Sequence, residues 1–457
     1  MKIIQELQNI VGSNNATSSK SQLYCYCRDA SQVKGMPEYI AKPSTTDEVV
    51  EIVKLANKYD IPIVTRGAGT GMAGGAVPIK GGILLDMSGM KKIMSIEPEN
   101  LQAFVEPGIV HSKLNEALEP YGFFFPPDPG SSEMCTIGGL IGNNGSGMRS
   151  VKYGTTKNYV LDLEVVMADG MVINTGSKTL KSITGYDLTN LIVGSEGTLG
   201  IITKALLKIH PLPKMRSVML ASFEDAELAG EAVVKILANG IIPSACEILD
   251  ETTIKALKAY DPGLEISDAG AILLFEVDGT PNAVNDGIET IRDVCSSIAF
   301  EIKTASDEAE AQKIWRSRRL VGASISRIDP KLTRVYMGED IGVPIKEIPQ
   351  MLSYIHKLSS EFDTPIMTYG HIGDGNLHTG MAIDLLNSEQ IERVKKIADC
   401  IHKKAISLGG TVSAEHGIGA ARAEYVEAEK GNALKVMSSI KKSLDPKNIL
   451  NPGKMGV

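Results

Sequence analysis

The chain has 457 residues, of which 43% are hydrophobic and 22% charged, and its formal net charge at pH 7 is −8. This balance is typical of a soluble globular protein with two to three domains, and a negative chain is a poor match for nucleic acid, whose phosphates require a cationic surface. We find no apolar run near the ~18–20 residues that cross a bilayer and no signal peptide, so the sequence predicts a cytoplasmic protein that reaches a membrane only through a partner.

The first part of the chain predicts alternating helices and strands. Thr45 and Glu48 have the spacing of a capping box at a helix start, and an amphipathic helix follows them. The run 61–64 predicts a short buried strand that leads into a glycine-rich loop. Further strands are predicted at 83–86 and 93–105, and Asp169-Gly170 predicts the turn of a hairpin between 161–168 and 171–174.

The pattern of predicted strands and helices changes near His210–Pro213. Beyond this point, strand-like runs (218–221, 272–277 and 301–304) alternate with amphipathic helices (224–238, 283–297 and 308–324), which predicts an antiparallel sheet covered by helices. We therefore expect an N-terminal extension over 1–37 and domains over 38–213 and 214–410, with a C-terminal segment over 411–457. From its position alone, Asn451–Lys454 would be a frayed tail.

The first glycine-rich segment is Arg66-Gly67-Ala68-Gly69-Thr70-Gly71. It follows a predicted strand but lacks the G-x-G-x-x-G fingerprint that opens into a helix, and no Gly-Lys-Ser/Thr closes it as in a P-loop. Its backbone N–H groups can still form a nest for an anion. Alone, the segment fits a structural turn as well as a phosphate site.

Two further segments favour a ligand. One covers 126–154 and contains Thr136-Ile-Gly-Gly139 and Gly142–Gly147, and the other covers 184–203 and contains Gly194-Ser-Glu-Gly197. Three surfaces of glycine and small polar residues within about 200 residues suit an extended dinucleotide, because bare backbone and small side chains must touch its whole length.

These segments resemble the FAD-binding domain of the vanillyl-alcohol oxidase / p-cresol methylhydroxylase flavoproteins. The part after residue 213 resembles the C-terminal domain of their FAD-linked D-lactate dehydrogenase and glycolate oxidase branch. The resemblance implies an α+β fold, with a two-part FAD-binding domain and a substrate (cap) domain in which helices cover an antiparallel sheet. It also implies that the C-terminal segment 411–457 returns to the FAD and the active site. It implies non-covalent FAD, because no histidine stands where some relatives attach the flavin.

The resemblance also assigns residues to the cofactor. Arg66–Gly71 would hold the pyrophosphate, and Glu196, Gly197 and Ile201 would lie near the adenine. The remaining residues expected at the cofactor are Pro127, Asp128, Ser131, Ser132, Thr136, Gly138, Gly139, Asn143 and Asn451.

Two compact motifs near the C-terminus contain histidine and carboxylate. The first runs from His371 to His378, and the second contains Glu415 and His416. Two histidines and a distant carboxylate are the ligand number of an open catalytic metal site for zinc, iron or manganese, although each histidine alone could equally be a polar core residue. In the resembling branch the matching residues, His371, His378 and Glu415, bind a divalent metal, and the residue matching His416 is the base. Asp374 competes as a ligand but matches a non-ligand loop position.

The resemblance also suggests how a 2-hydroxy acid is bound. Arg318 matches the arginine of a W-x-x-R motif and would bind the substrate carboxylate, because a guanidinium pairs with a carboxylate bidentately; the alternative is a surface basic run with Arg316 and Arg319. Asn376 would face the flavin or substrate. Relatives specific for longer diacids carry threonine and lysine where this chain has Gly322 and Gly338, which favours a small acid over 2-hydroxyglutarate.

The motifs and this resemblance together imply an FAD-dependent dehydrogenase that oxidises D-lactate or, as the alternative, glycolate. Scattered cysteines give no iron–sulfur motif, so an electron-transferring flavoprotein or an iron–sulfur subunit is the expected partner, and an electron-bifurcating lactate dehydrogenase is one hypothesis. The rival functions are a metallohydrolase without a redox role, a redox-neutral or reductase member of the same flavin superfamily that needs no metal, and a non-catalytic flavin-binding subunit.

Overall fold

The structure, a computed structural model, describes residues 2–325, 331–335 and 337–457. By its internal contacts the chain divides into two compact units. Both units are discontinuous in sequence. The first unit comprises Met1–Ser146, Thr155–Leu212 and Glu415–Val457. The second unit comprises Gly147–Gly154 and Pro213–Ala414. The predicted domain limits stay predictions. No helix in the described ranges has both the length and the apolar character of a membrane span.

The first unit contains a small mixed sheet and a larger antiparallel sheet. In the mixed sheet, Ile63–Arg66 and Tyr39–Ala41 both pair in parallel with Ile83–Asp86. The helix Thr46–Tyr59 packs on this sheet, and the predicted cap is confirmed, because Thr45 Oγ1 accepts a hydrogen bond from the Glu48 backbone N–H at 3.3 Å. The mixed sheet runs in the order Ala16–Thr17, Tyr39–Ala41, Ile83–Asp86, Ile63–Arg66, and the antiparallel sheet in the order Ile93–Glu97, Gln102–Val105, Ile201–Lys208, Val160–Val166, Val172–Asn174.

The remaining elements of the first unit are short helices and one two-stranded pairing. Phe123–Phe124 pairs with His210–Pro211. The predicted hairpin at Asp169-Gly170 is confirmed, since Val160–Val166 pairs antiparallel with Val172–Asn174. The helices besides Thr46–Tyr59 are Lys2–Val11, Lys20–Tyr24, His111–Leu118, Ile137–Asn143, Leu188–Ile192, Val426–Lys430 and Ala433–Leu444.

The second unit is an antiparallel sheet covered by helices, which confirms the predicted α+β class. Its strands run in the order Glu301–Thr304, Met215–Phe223, Ala271–Gly279, Ala245–Asp250, Met367–Gly370, Asn376–Ile383, Thr333–Val335, and Ile341–Gly342 also pairs with Asn376–Ile383. Apolar side chains from both faces of the sheet are buried under the helices. These helices are Ser150–Tyr153, Ala226–Ala238, Glu251–Tyr260, Pro281–Ser296, Glu308–Ile325, Ile348–Glu361 and Ser388–Ser407.

The expectation of a frayed tail at Asn451–Lys454 is wrong. The backbone of Ile63 pairs with Ile449 and Asn451, so this segment extends the edge of the mixed sheet. The Asn451 side-chain amide donates to the backbone carbonyls of Gly75 and Glu196, and the fully buried Lys454 donates to the Val77 carbonyl at 2.6 Å. Because its polar groups find partners inside the first unit, the segment is ordered.

Candidate active site

The first and second glycine-rich segments contact each other within the first unit. A Cβ atom added at Gly67 would lie 2.1 Å from Thr136 Oγ1, a distance that no side chain tolerates. Gly69 has φ +72° and faces the Arg66 guanidinium, so glycine is required there by both backbone conformation and space. The sequence order did not show that these segments meet, and their contact brings the predicted pyrophosphate loop to Thr136.

Other glycines of these segments face open space. A Cβ at Gly142 would meet no atom within 4 Å, whereas one at Gly71 would make ordinary van der Waals contact with Asn143 Nδ2 at 3.7 Å. Glycines that pack tightly on their own chain have a structural role, whereas glycines beside open space leave backbone that a ligand can approach. The residues present therefore fit an extended cofactor such as FAD.

Arg66 lies at the end of the strand Ile63–Arg66 and is largely buried. Its Nη1 atom donates to the Arg28 carbonyl at 2.8 Å, and its guanidinium carbon lies 5.5 Å from the centre of the Tyr26 ring. These contacts fix the side chain against the Gly69 turn. The role of Arg66, Ala68 and Thr70 at a pyrophosphate stays a prediction.

The loop from Pro127 to Ser132 is held against the helix His111–Leu118. Ser132 Oγ lies 2.8 Å from His111 Nδ1, and the Ser132 carbonyl accepts from the Ser112 N–H. Pro127 is buried, whereas Asp128, Ser131 and Ser132 are half-buried.

Thr136 caps the next helix by accepting a hydrogen bond from the Gly139 N–H at 3.2 Å, and Gly138 packs on Pro107. Their contact with a flavin stays a prediction.

Glu196 binds the backbone of the C-terminal segment. Its two carboxylate oxygens accept hydrogen bonds from the Ile418 and Gly419 backbone N–H groups, both at 2.7 Å. Burial raises the pKa of Glu196, and these hydrogen bonds only partly offset that effect. Ile201 is fully buried in the core of the unit. The positions of Glu196, Gly197 and Ile201 at an adenine stay predictions.

Glu415 and His416 belong to the first unit. Glu415 Oε1 lies 3.4 Å from His416 Nε2, and Glu415 Oε2 accepts a hydrogen bond from Ser146 Oγ at 3.2 Å. Glu196 accepts hydrogen bonds from the backbone of Ile418 and Gly419, which follow His416 closely in the chain. A Cβ at Gly417 would lie 2.9 Å from Glu196 Oε1. The short segment that carries the predicted base is thus fixed on both sides.

His371 and His378 lie together in the second unit. His371 follows the strand Met367–Gly370, the chain turns at Asp374 and Gly375, and His378 lies on the returning strand Asn376–Ile383. The two buried rings meet edge to face with centroids 5.2 Å apart, and one nitrogen of each lies within 4.8 Å of the other. Asp374 is exposed at the turn, where its carboxylate accepts from the Asn376 N–H.

Glu247 connects His371 to Arg318, and no sequence motif singled it out. It lies on the strand Ala245–Asp250 and is fully buried. Its Oε1 lies 2.5 Å from His371 Nδ1, and its Oε2 accepts from Arg318 Nε at 2.5 Å. Burial alone would raise the pKa of Glu247, but the electrostatic interactions and hydrogen bonds with His371 and Arg318 outweigh it and lower the pKa. A carboxylate within an apolar strand was the signal that could have identified it.

Arg318 is distinct from its arginine neighbours. Arg316 pairs with Asp261 at the surface, and Arg319 donates to Gln312, whereas Arg318 turns inward to Glu247. Its guanidinium carbon lies 5.4 Å from the centre of the Tyr369 ring. The Tyr369 hydroxyl in turn accepts from Arg334 and lies 3.3 Å from Glu339 Oε1. The arrangement favours a specific role for Arg318 over a surface basic run.

The Asn376 side chain is engaged within the second unit. Its Nδ2 donates to Asp340 Oδ1 at 2.9 Å and to the Ile341 carbonyl at 3.0 Å. Ser413 Oγ donates to the other Asp340 oxygen at 2.6 Å. Of the Asn376 side chain, the amide oxygen Oδ1 is then the atom that can accept a hydrogen bond from a ligand. Its place at a flavin or substrate stays a prediction.

The histidine pair fits a metal ion chemically. A ligating histidine commonly donates its other ring N–H to a carboxylate, which fixes the tautomer, and His371 has Glu247 in that position. The predicted third ligand, Glu415, belongs to the first unit. The complete set His371, His378 and Glu415 therefore stays a prediction.

Comparisons with known proteins agree on one family. Residues 212–455 match the family described as FAD linked oxidases, C-terminal domain, and residues 37–176 match the FAD binding domain. The chain is 40% identical over 455 residues to the glycolate oxidase subunit GlcD of Bacillus subtilis, covering 99% of this chain and 96% of that protein. It is 34% identical over 433 residues to the D-lactate dehydrogenase of Anaerostipes hadrus, covering 92% and 90%.

Solved structures show the same fold. The chain is similar to p-cresol methylhydroxylase with a TM-score of 0.82 at 20% identity, covering 100% of this chain and 96% of that one. The 4-ethylphenol oxidase from Gulosibacter chungangensis gives a TM-score of 0.80 at 20% identity, covering 99% and 96%. The matched families leave no support for a metallohydrolase without a redox role. The chain belongs to the FAD-linked oxidase family and is an FAD-dependent oxidoreductase of the D-lactate dehydrogenase and glycolate oxidase type.

Proposed function

We propose that the protein oxidises a small 2-hydroxy acid, with D-lactate as the first candidate and glycolate as the alternative. The observation that carries the proposal is the buried cluster in which Glu247 joins Arg318 to His371. Arg318 suits a carboxylate and His371 suits a metal, and a 2-hydroxy acid offers a carboxylate to the first and a hydroxyl oxygen to a cation held by the second. The names of the relatives, glycolate oxidase subunit GlcD and D-lactate dehydrogenase, support the same substrate class.

Oxidation of a 2-hydroxy acid to a 2-oxo acid removes the α-hydrogen as a hydride and the hydroxyl hydrogen as a proton. When bound, non-covalent FAD supplies the hydride acceptor, and a divalent zinc, iron or manganese ion supplies Lewis acidity. Arg318 binds the substrate carboxylate through its guanidinium. His416 accepts the hydroxyl proton at a ring nitrogen, and Asn376 faces the flavin or the substrate, where its side-chain oxygen can accept a hydrogen bond. Glu415, His371 and His378 are the assigned metal ligands.

The substrate size rests on two glycines in the second unit. A Cβ at Gly322 would lie 3.3 Å from Arg334 Nη1, and one at Gly338 would lie 2.9 Å from the Ala398 backbone. Gly338 also has φ +68°, which disfavours any side chain. A lysine at position 338 would not fit this backbone, which supports a short acid over 2-hydroxyglutarate.

The electrons of the reduced cofactor require an acceptor. We assign that role to a partner, either an electron-transferring flavoprotein or an iron–sulfur subunit, because the six free cysteines include no set of four close thiolates in the described chain. Coupling to a flavoprotein would make the chain the catalytic subunit of an electron-bifurcating lactate dehydrogenase. Co-purification with a redox protein supports a partner, and rapid quinone reduction by the isolated protein argues against one.

Anaerobic mixing with single substrates tests the proposal. D-lactate, L-lactate, glycolate and 2-hydroxyglutarate are each added while the flavin absorbance is followed. We expect the fastest bleaching with D-lactate, and bleaching by 2-hydroxyglutarate alone would contradict the proposed substrate. His416→Ala should bind FAD normally and bleach about 10²–10⁴-fold more slowly, the typical contribution of a general base. Full activity after metal chelation would instead support a reductase that needs no metal.

A further inference from the structure

Glu247 is a fully buried carboxylate whose two oxygens are each committed to a different functional group. Oε1 lies 2.5 Å from His371 Nδ1, and Oε2 accepts from Arg318 Nε at 2.5 Å. We propose that Glu247 is a positioning residue that prepares His371 for the metal and Arg318 for the substrate carboxylate at the same time. This inference rests on the proposed function and extends it to a residue that touches neither ligand.

The His371 side of this arrangement concerns the tautomer of the ring. A neutral imidazole carries one N–H donor and one acceptor nitrogen. With Nδ1–H donated to Glu247, the neutral ring carries no proton on Nε2, which is the tautomer that a metal ligand requires, and the ring cannot rotate without losing the hydrogen bond. Because the carboxylate cannot reach bulk water, it also increases the electron density that the ring offers to a metal.

The Arg318 side concerns the direction of the guanidinium. Glu247 holds the Nε edge, and the guanidinium carbon lies 5.4 Å from the centre of the Tyr369 ring. The two terminal nitrogens are left to bind a carboxylate, and their plane is already fixed before the substrate arrives. The same side chain therefore reduces the freedom of both groups that the reaction uses.

The chemistry of the cluster requires a carboxylate. Both partners of Glu247 donate, so the side chain must offer two acceptor oxygens. A glutamine has the same shape but only one acceptor, since its NH₂ group donates, and one of His371 and Arg318 would then face a donor. An aspartate keeps both acceptors and the charge but is one methylene shorter.

The test uses the FAD-loaded protein and its Glu247→Gln and Glu247→Asp variants, with Co²⁺ as the metal probe. We measure Co²⁺ affinity by competition with a chromophoric chelator, the visible spectrum of bound Co²⁺, and kcat and KM for D-lactate. Removing such a partner of a ligating histidine typically weakens metal binding about 10–100-fold, and we expect this for Glu247→Gln together with an increase in KM of at least about 10-fold. Glu247→Asp should recover part of both, and FAD content should stay at the wild-type level.

Glu276→Gln is the matched control. Glu276 lies on the neighbouring strand Ala271–Gly279, is equally buried at 1% exposure, and accepts from Arg149 at 3.0 Å. Its loss should lower the thermal midpoint without changing Co²⁺ affinity or KM. Equal weakening of Co²⁺ binding in Glu247→Gln and Glu276→Gln would show a general structural effect and overturn the proposal.

The wild-type titration separates the two hypotheses. If the wild-type protein binds Co²⁺ and bleaches with a hydroxy acid while Glu247→Gln behaves identically, the role of Glu247 is wrong and the proposed function stands. If the wild-type protein binds no Co²⁺, the metal part of the proposed function and the His371 half of this inference fall together.

Discussion

The glycine-rich segments of the first unit and the charged cluster of the second unit, which we propose bind FAD and the substrate with its metal, are built in different ways. The first relies on backbone, with Gly67 packed on Thr136 and Gly142 beside open space. The second relies on buried charged side chains, with Glu247 between His371 and Arg318. Backbone recognition needs a contiguous run of particular residues and so leaves a motif, whereas a side-chain cluster can draw each member from a distant part of the chain.

That difference is visible in sequence separation. Arg66 to Gly71 are neighbours, but Glu247 lies 124 residues from His371 and 71 from Arg318. A motif search finds the glycines and the histidines and misses the carboxylate that joins them. Substitutions in each region test whether the two regions differ in this way.

Removal of a predicted metal ligand should have the largest effect. We expect His378→Ala to lower kcat/KM by at least about 10³-fold, because a bound cation contributes several kcal/mol to charge stabilisation. FAD content should not change, since the first unit carries the glycine-rich segments. The exposed His356 on the helix Ile348–Glu361 provides the control His356→Ala, which should retain activity. Parallel loss of FAD and metal in His378→Ala would contradict the division between the two regions.

Arg318→Lys should act mainly on substrate binding. A lysine keeps the charge but loses the planar pair of donors, so we expect KM for D-lactate to rise about 10–100-fold with a smaller change in kcat. Arg316→Lys, at the surface beside Asp261, should leave KM unchanged. Steady-state kinetics measures both, and equal effects of the two substitutions would support the surface basic run.

Two glycine substitutions separate packing from ligand access in the first unit. Gly67→Ala places a methyl group 2.1 Å from Thr136 Oγ1 and should destabilise the protein by about 1–3 kcal/mol. Gly142→Ala lies in the helix Ile137–Asn143 and should stabilise the apoprotein by up to about 1 kcal/mol while weakening FAD binding. Urea unfolding of the apoprotein and titration with FAD distinguish these outcomes. If Gly142→Ala binds FAD as tightly as the wild type does, its open side does not face the cofactor.

The smallest expected effect concerns Lys454. Burial lowers its pKa to about 8, although Asp29 and Glu196 oppose that shift. In the unfolded chain a lysine has a pKa of about 10.4. Between about pH 8 and pH 10.4 the unfolded state therefore binds more protons than the folded state. Over this range the free energy of unfolding rises with pH, by at most about 1.4 kcal/mol per pH unit. Lys454→Met should remove this contribution. Unfolding curves of both proteins from pH 7.5 to 10 measure it, and identical slopes would contradict it.

Local signals in the sequence predicted much of the fold. Thr45 and Glu48 identified a helix start, and Asp169-Gly170 identified a hairpin, because caps and turns depend on neighbouring residues. The placement of 147–154 in the second unit was not predictable in this way. It depends on ion pairs of Arg149 with Glu276 and of Lys152 with Asp278, more than 120 residues away. Long-range polar pairs have no periodicity and leave no local pattern.

The ordered segment at 449–454 has a consequence for synthesis of the protein. The edge of the mixed sheet at Ile63 is paired by Ile449 and Asn451, so the first unit needs residues that a ribosome adds long after residue 212. At about 5–20 residues per second, the strand Ile63–Arg66 waits on the order of 20–80 s for this partner. During that interval the strand Ile63–Arg66 exposes an unpaired edge, which makes the nascent chain a candidate substrate for chaperones.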